Sequence, residues 1–223
     1  DAMWSELQTC FEWLDAQASV RAVVLAANGK HFCAGLDLTM FSGLEGESSD
    51  PARRAEHFRL NVLRMQDNLS AIEKCRKPVL AAIHKTCIGG GVDLTCCCDM
   101  RYATEDAYFS IREIDIGMTL TVRMNALVKA RLSARAIRET LLTGGRLTGE
   151  QARSLGIVDA VGDESELEAL ALQVSVPMVG KPRELLSGLK YGLHHELIDL
   201  MLSDAPDDPY KQVKIWPREF LLR

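Results

Sequence analysis

Three consecutive glycines, Gly89, Gly90 and Gly91, separate an apolar run of strand length from residues 91–98, which read as a helix. The run lies in "PVLAAIH", opened by Pro78, and it carries no alternating polar residue. Such a strand is covered on both faces, which is the situation of a parallel sheet with helices packed against it. A short β-branched run at Val20–Ala26 precedes an Asn28-Gly29 turn, and short strands are predicted around "MRYAT" and "AYFSI". Helical patterns stand between these strands. Repeated strand-then-helix units predict an α/β fold with mainly parallel strands and crossover helices.

The opening "DAMWSELQTCFEWL" reads as an amphipathic helix. No signal or transit peptide is visible ahead of it, which implies a trimmed start. "GLEGESSDPARRAEH" reads as a mobile surface loop, and His57–Lys74 as a helix with apolar positions at Leu60, Leu63, Met65, Leu69 and Ile72. Thr119–Leu142 is predicted helical. Thr148 with Gln151 three residues on is a capping-box start, and a strand is expected from Ile157 to Val161. The chain divides into an α/β core over 1–161 and a helical region over 162–223, with Pro177, Pro182, Pro206, Pro209 and Pro217 marking breaks.

Composition narrows the function classes. With 47% hydrophobic and 26% charged residues the chain is an ordinary globular protein, and its net charge of −5 offers no basic face for nucleic acid. No apolar run approaches a bilayer span, so membrane insertion is not expected. The seven cysteines show no C-x-x-C pair and no Cys/His zinc spacing, which points to a reducing, intracellular compartment. Cys96, Cys97 and Cys98 would point about 100° apart on a helix, so they cannot close on one tetrahedral metal. They read as buried packing, as does Cys33.

A glycine turn between a strand and a helix lets backbone N–H groups approach a ligand, and the helix start favours negative charge. The spacing is neither G-x-G-x-x-G nor G-x-x-x-x-G-K-[ST], which argues against a dinucleotide or nucleotide phosphate. Two readings stay open for the turn: close packing, or a site for a carbonyl oxygen that becomes an oxyanion. "HFCAGLDL" also follows a strand and offers a second set of N–H groups.

"FCAGLDL", "KPVLAAIHKTCIGGGVDL", "CDMRYATEDAYFSIREIDIGM" and "LTGEQARSLGIVDAV" together resemble the enoyl-CoA hydratase/isomerase (crotonase) superfamily. "IEKCRKPVLAAIHKTCIGGGVDL" with "REIDIG" is most similar to its dienoyl-CoA isomerase branch. The resemblance implies a crotonase-like (ClpP/crotonase) fold of repeated ββα units with a helical C-terminal region. It further implies an acyl-CoA thioester as substrate and no cofactor, since CoA arrives with the substrate. A homotrimer or hexamer built through the C-terminal helices follows from it too, as does a mitochondrial or peroxisome-like compartment.

By the same resemblance, the N–H groups of Leu36 and Gly90 form an oxyanion hole, and Ala34, Gly35, Leu36, Asp37 and Leu38 grip the CoA thioester. Asp93 and Glu113 match the positions of the two catalytic carboxylates of hydratases, chemistry that needs one group to take a proton and another to deliver one. For an isomerase the resemblance implies that Glu113 exchanges a proton at one end of the diene and Asp93 orients or stabilises the substrate, with the second proton carrier unassigned. Lys190 matches a position near the CoA phosphates, against a plain reading as a solvated helix lysine. Dienoyl-CoA isomerases carry a further aspartate eight residues after the glutamate, and here that position is Thr121. A hydroxyl is no base at neutral pH without help. The resemblance therefore favours 3,5- to 2,4-dienoyl-CoA isomerisation, with 2-enoyl-CoA hydration and acyl-CoA binding without strong catalysis as alternatives. His84 reads as a core histidine, and His194 and His195 as surface or interface residues.

Overall fold

The computed structural model describes residues 2–37, 39 and 46–202. Helix α1 (Ala2–Ala16) turns Trp4 and Phe11 inward, and strand β1 (Val23–Leu25) follows. Helix α2 spans Pro51–Lys74, starting earlier than the apolar spacing alone indicates. The Asp50 carboxylate accepts from the Ala52 N–H at 2.9 Å and Pro51 supplies a preset φ at the first helical position. The stretch read as a mobile loop is thus helical from Pro51. Its first turns are largely solvent-facing, so they carry no apolar period to read.

Strand β2 (Val79–Ile83) is buried at every residue, and β4 (Met100–Thr104) and β7 (Ala160–Gly162) complete a parallel sheet of order β1-β2-β4-β7. Val23 is in register with Val79, Leu80 with Met100 and Tyr102 with Ala160. A second sheet has the order β3-β5-β6, with β3 (Thr86–Ile88) and β5 (Tyr108–Ser110) parallel and β6 (Leu147–Thr148) antiparallel. Successive strands therefore alternate between two sheets, β2 then β3 and β4 then β5. Helix α3 (Gly90–Cys96) follows the first pair, giving the ββα repeat.

Thr119–Leu142 holds two helices rather than one, α4 (Val122–Arg131) and α5 (Ala134–Leu141). Leu132 is extended and the Ser133 hydroxyl accepts from the Ala136 N–H at 3.1 Å, starting the new helix. The Thr148/Gln151 capping box opens α6 (Gly149–Ser154). Strand β7 begins later than expected because Ile157 and Val158 are buried ahead of it, outside the ladder. Pro177 lies inside α7 (Leu167–Val179) instead of breaking it, whereas Pro182 does stand between α7 and α8 (Arg183–Leu202). Pro206, Pro209 and Pro217 lie outside the described residues.

The three cysteines pack in the core behind α3, each at most 1% exposed. Burial pushes the thiols of Cys96 and Cys98 up to about 12, so they stay protonated and inert.

Helix α8 is fastened by a buried run of charges, and two expectations change there. Lys190 is not a solvated helix lysine: it is buried. Its ammonium pairs with Asp99 at 2.8 Å and donates to the Lys77 carbonyl at 2.9 Å. His194 is buried as well, and only His195 beside it is partly exposed. Arg131, which can only donate, bonds His194 Nδ1 at 2.8 Å, so His194 Nε2 carries the hydrogen given to Asp99 at 2.8 Å. Arg131 also pairs with buried Glu73 at 2.6 Å. Burial opposes the Asp99 charge, but His194 and Lys190 outweigh it and hold that carboxyl below its usual range.

Candidate active site

The two glycine turns are brought together by backbone pairing. Cys33 and Cys87 form a parallel bridge, with the Cys33 N–H donating to the Thr86 carbonyl at 2.9 Å and the Ile88 N–H to the Cys33 carbonyl at 3.0 Å. The segment carrying Leu36 is thereby laid against β3, which leads directly into Gly89–Gly91. The Leu36 nitrogen lies 4.0 Å from the point where a Cβ on Gly90 would sit. Among the described residues no acceptor bonds the Leu36 or the Gly90 N–H. Two donors beside one opening can hold a single oxygen.

Each glycine of the triplet has its own reason. Gly89 has φ +51 and ψ −119, a conformation that other residues rarely adopt, and a Cβ there would approach Glu113 Oε1 at 3.3 Å. Gly90 keeps space open beside Leu36. A Cβ on Gly91 would meet the Cys33 Cβ at 2.8 Å, so the third glycine is what lets the two turns close on each other. Cys33 therefore serves packing, as expected. On the first turn Gly35 has φ +98 and abuts the Ile88 carbonyl, and Asp37 ties back to the Thr39 N–H at 2.9 Å. Leu38 lies outside the described residues.

Asp93 sits in the first turn of α3, one helical turn from Gly90, and is 8% exposed. Burial, with the neighbouring Glu113 charge, pushes its carboxyl up to about 8. It is thus mostly neutral at pH 7 and able to donate a proton. Glu113 opens a 3-10 turn (Glu113–Ile116) after β5, and burial raises its carboxyl too. Its Oε2 is buried with no protein partner. Asp115 does not join them: it is exposed and paired with Arg112 at 2.7 Å.

These groups share a cavity of about 110 Å³ lined by Leu36, Asp37, Gly90, Asp93 and Glu113 on one side. Its opposite wall comes from α1, α2 and the entry to α4: Trp4, Phe58, Val62, Met65, Leu69, Met118, Leu120 and Met124. Thr121 also faces this cavity, as the N-cap of α4, and its hydroxyl accepts from the Met124 N–H at 3.3 Å and the Gln66 amide at 2.7 Å. Lys190 does not line it.

Sequence reasoning missed the apolar wall and Gln66. The positions Met65 and Leu69 were visible as one face of a helix, but nothing local says which cavity that face closes. Gln66 is a buried polar residue inside α2, and only its lack of apolar character marked it.

The profile of the enoyl-CoA hydratase/isomerase family matches residues 1–205. The chain is 39% identical over 181 residues to the peroxisomal Delta(3,5)-Delta(2,4)-dienoyl-CoA isomerase of Arabidopsis thaliana, covering 79% of this chain and 65% of that protein. It is 36% identical to the mitochondrial Delta(3,5)-Delta(2,4)-dienoyl-CoA isomerase of Homo sapiens, covering 78% of this chain and 55% of the relative. The chain thus spans less than two thirds of the length of these relatives. An enoyl-CoA hydratase structure from Mycobacterium smegmatis superposes with a TM-score of 0.75 at 30% identity, over 95% of this chain and 77% of that one. An enoyl-CoA hydratase/isomerase structure from Xanthobacter autotrophicus Py2 gives 0.79 at 26% identity, over 94% and 76%. With the ββα repeat, the paired glycine turns and the two carboxylates in one cavity, the chain belongs to the enoyl-CoA hydratase/isomerase family.

Proposed function

We propose that this protein isomerises a 3,5-dienoyl-CoA to the conjugated 2,4-dienoyl-CoA. The observation that carries this reading is the pair Asp93 and Glu113 in one apolar cavity, next to the free N–H groups of Leu36 and Gly90. The thioester oxygen sits between those two donors. The C2–H bond breaks toward the ionised carboxylate, and its electrons spread over the thioester and the diene as a dienolate. A C6–H bond then forms from the protonated carboxylic acid, leaving double bonds at C2 and C4. Asp93 is neutral at pH 7, so it is the donor and Glu113 the acceptor. The proton gained by Glu113 returns to Asp93 before the next turnover, so the reaction consumes nothing. Each backbone donor contributes about 2.7–4 kcal/mol to holding the dienolate.

Thr121 supports this division of labour. Its hydroxyl caps α4 and accepts two N–H groups, so it is not a base, and the two carboxylates carry both ends of the diene. No cofactor enters beyond the CoA of the substrate, in an account that uses carboxylates and amides alone. The similarity to enzymes named peroxisomal and mitochondrial favours one of those organelles and a place in fatty-acid beta-oxidation. Among the described residues no helix is long and apolar enough to cross a membrane. Leu185, Leu189 and Leu193 form an exposed apolar row on α8 and favour assembly of a trimer or hexamer through the helical C-terminal region.

An ultraviolet assay tests the reading with a 3,5-dienoyl-CoA and a 2-enoyl-CoA, on wild type and Glu113→Gln. Conjugated diene forms from the first and is lost in the variant. Loss of enoyl absorbance from the second substrate alone would replace the reading with hydration.

A further inference from the structure

Away from the carboxylates, three polar side chains interrupt the apolar wall of the cavity, Gln66, Thr119 and Thr121, and two of them are bonded to each other. The Thr121 oxygen accepts from the Met124 N–H at 3.3 Å and from the Gln66 amide at 2.7 Å. Both of its lone pairs are then engaged, so its hydrogen is directed to a third group. No side chain or carbonyl of the described residues receives that hydrogen, and the residue opens onto the cavity. If the Gln66 amide is turned about its axis, the Thr121 hydrogen goes to the Gln66 oxygen, and the Gln66 N–H groups, on a residue that also lines the cavity, become the donors left over. In both arrangements a hydrogen-bond donor is presented where the acyl chain lies.

A donor facing hydrocarbon loses the hydrogen bond it had with water, and a chain carrying an oxygen at that point restores it. We propose that Gln66 and Thr121 form a specificity subsite for an oxygenated acyl chain, one with a hydroxyl or carbonyl oxygen beyond the thioester. This deepens the function proposed above and rests on acyl-CoA being the guest of the cavity, but not on catalysis. The subsite favours the oxygenated chain by roughly tenfold to hundredfold over the plain chain of equal length.

Binding is therefore the readout. Dissociation constants are measured by calorimetry for a saturated acyl-CoA and for a set of hydroxyacyl-CoA thioesters of the same length, the hydroxyl moved along the chain. Wild type is expected to bind at least one hydroxylated member tenfold or more tightly than the plain one. Thr121→Val, with the shape kept and the hydroxyl removed, together with Gln66→Met, abolishes that preference. Thr121→Ser, which keeps the hydroxyl and the helix cap, retains it, and separates the subsite from a loss of folding. Equal affinity for all members in wild type, or an unchanged preference in the Thr121→Val/Gln66→Met protein, would overturn the proposal. Preferred binding without turnover of any dienoyl-CoA would keep the subsite and reject the isomerase reading, so the two failures are distinguishable.

Discussion

Asp93→Asn is expected to stabilise the fold, and by an amount that grows with pH. In the unfolded chain the Asp93 carboxyl has an ordinary value of 3.8, whereas burial in the fold pushes it up to about 8. The sign follows from proton linkage: between those values the folded state holds a proton that the unfolded state has released. Stability associated with this group is complete below pH 3.8 and is lost as pH rises toward 8. At pH 7 the separation from the unfolded value is 7 − 3.8 = 3.2 units, or about 4 kcal/mol at 1.36 kcal/mol per unit. At pH 5 it is about 1.6 kcal/mol by the same arithmetic. Asparagine is isosteric and does not titrate, so it escapes this loss. Any packing difference it introduces is constant with pH, and the Glu113 term cancels while Asp93 is neutral. Urea unfolding followed by tryptophan fluorescence, at half-unit steps from pH 5 to 9, gives the difference between the two proteins. Its increase of about 2.7 kcal/mol from pH 5 to 7, levelling near pH 8, is the expected result. A difference that stays constant across the range would mean that Asp93 is charged in the fold, and the proton-donor role would fail with it.

Gly90→Ala should fold, since its Cβ meets the Leu36 side chain at 3.4 Å, an ordinary contact. It crowds the space between the two donors, and kcat/KM for diene conjugation should fall by roughly 10²–10³, as for loss of one oxyanion donor. Gly91→Ala pushes the Cys33 turn away from α3, so both the melting temperature and kcat/KM should drop. Lys190→Met leaves the Asp99 charge buried without its ammonium partner and should cost about 3–5 kcal/mol in urea unfolding. Because Lys190 is committed to Asp99 and the Lys77 carbonyl, KM for an acyl-CoA should stay unchanged in that variant at a temperature where it is folded.

The sheet was legible because β2 carries five apolar residues in succession, all buried, and because glycines mark where the chain turns into α3. The two glycine turns and the carboxylates were legible only as an ordered set of motifs; alone, Asp93 is a first-turn helix aspartate. What brings Leu36 beside Gly90 is the Cys33–Cys87 bridge, a long-range pairing with no local signal. The early start of α2 was marked by Asp50 and Pro51, and the break at Ser133 by a capping residue, but both were outweighed by the apolar period. The solvated reading of Lys190 and the surface reading of His194 fail for a common physical reason. Burial of a charged residue depends on a partner, here Asp99, about ninety residues away in the chain. Thr121 was visible as a departure, but its role as cap and cavity donor needed Gln66, which comes from another helix.

The central claim is that a neutral Asp93 and an ionised Glu113 share one proton-transfer site. The pH dependence of kcat/KM for conjugation of a 3,5-dienoyl-CoA, in wild type and Glu113→Gln, tests it most directly. Activity is expected to fall as pH rises through about 8, where Asp93 ionises, and to drop by roughly 10²–10⁴ in the variant. Activity level from pH 6 to 10, or conjugation undiminished in Glu113→Gln, would contradict it.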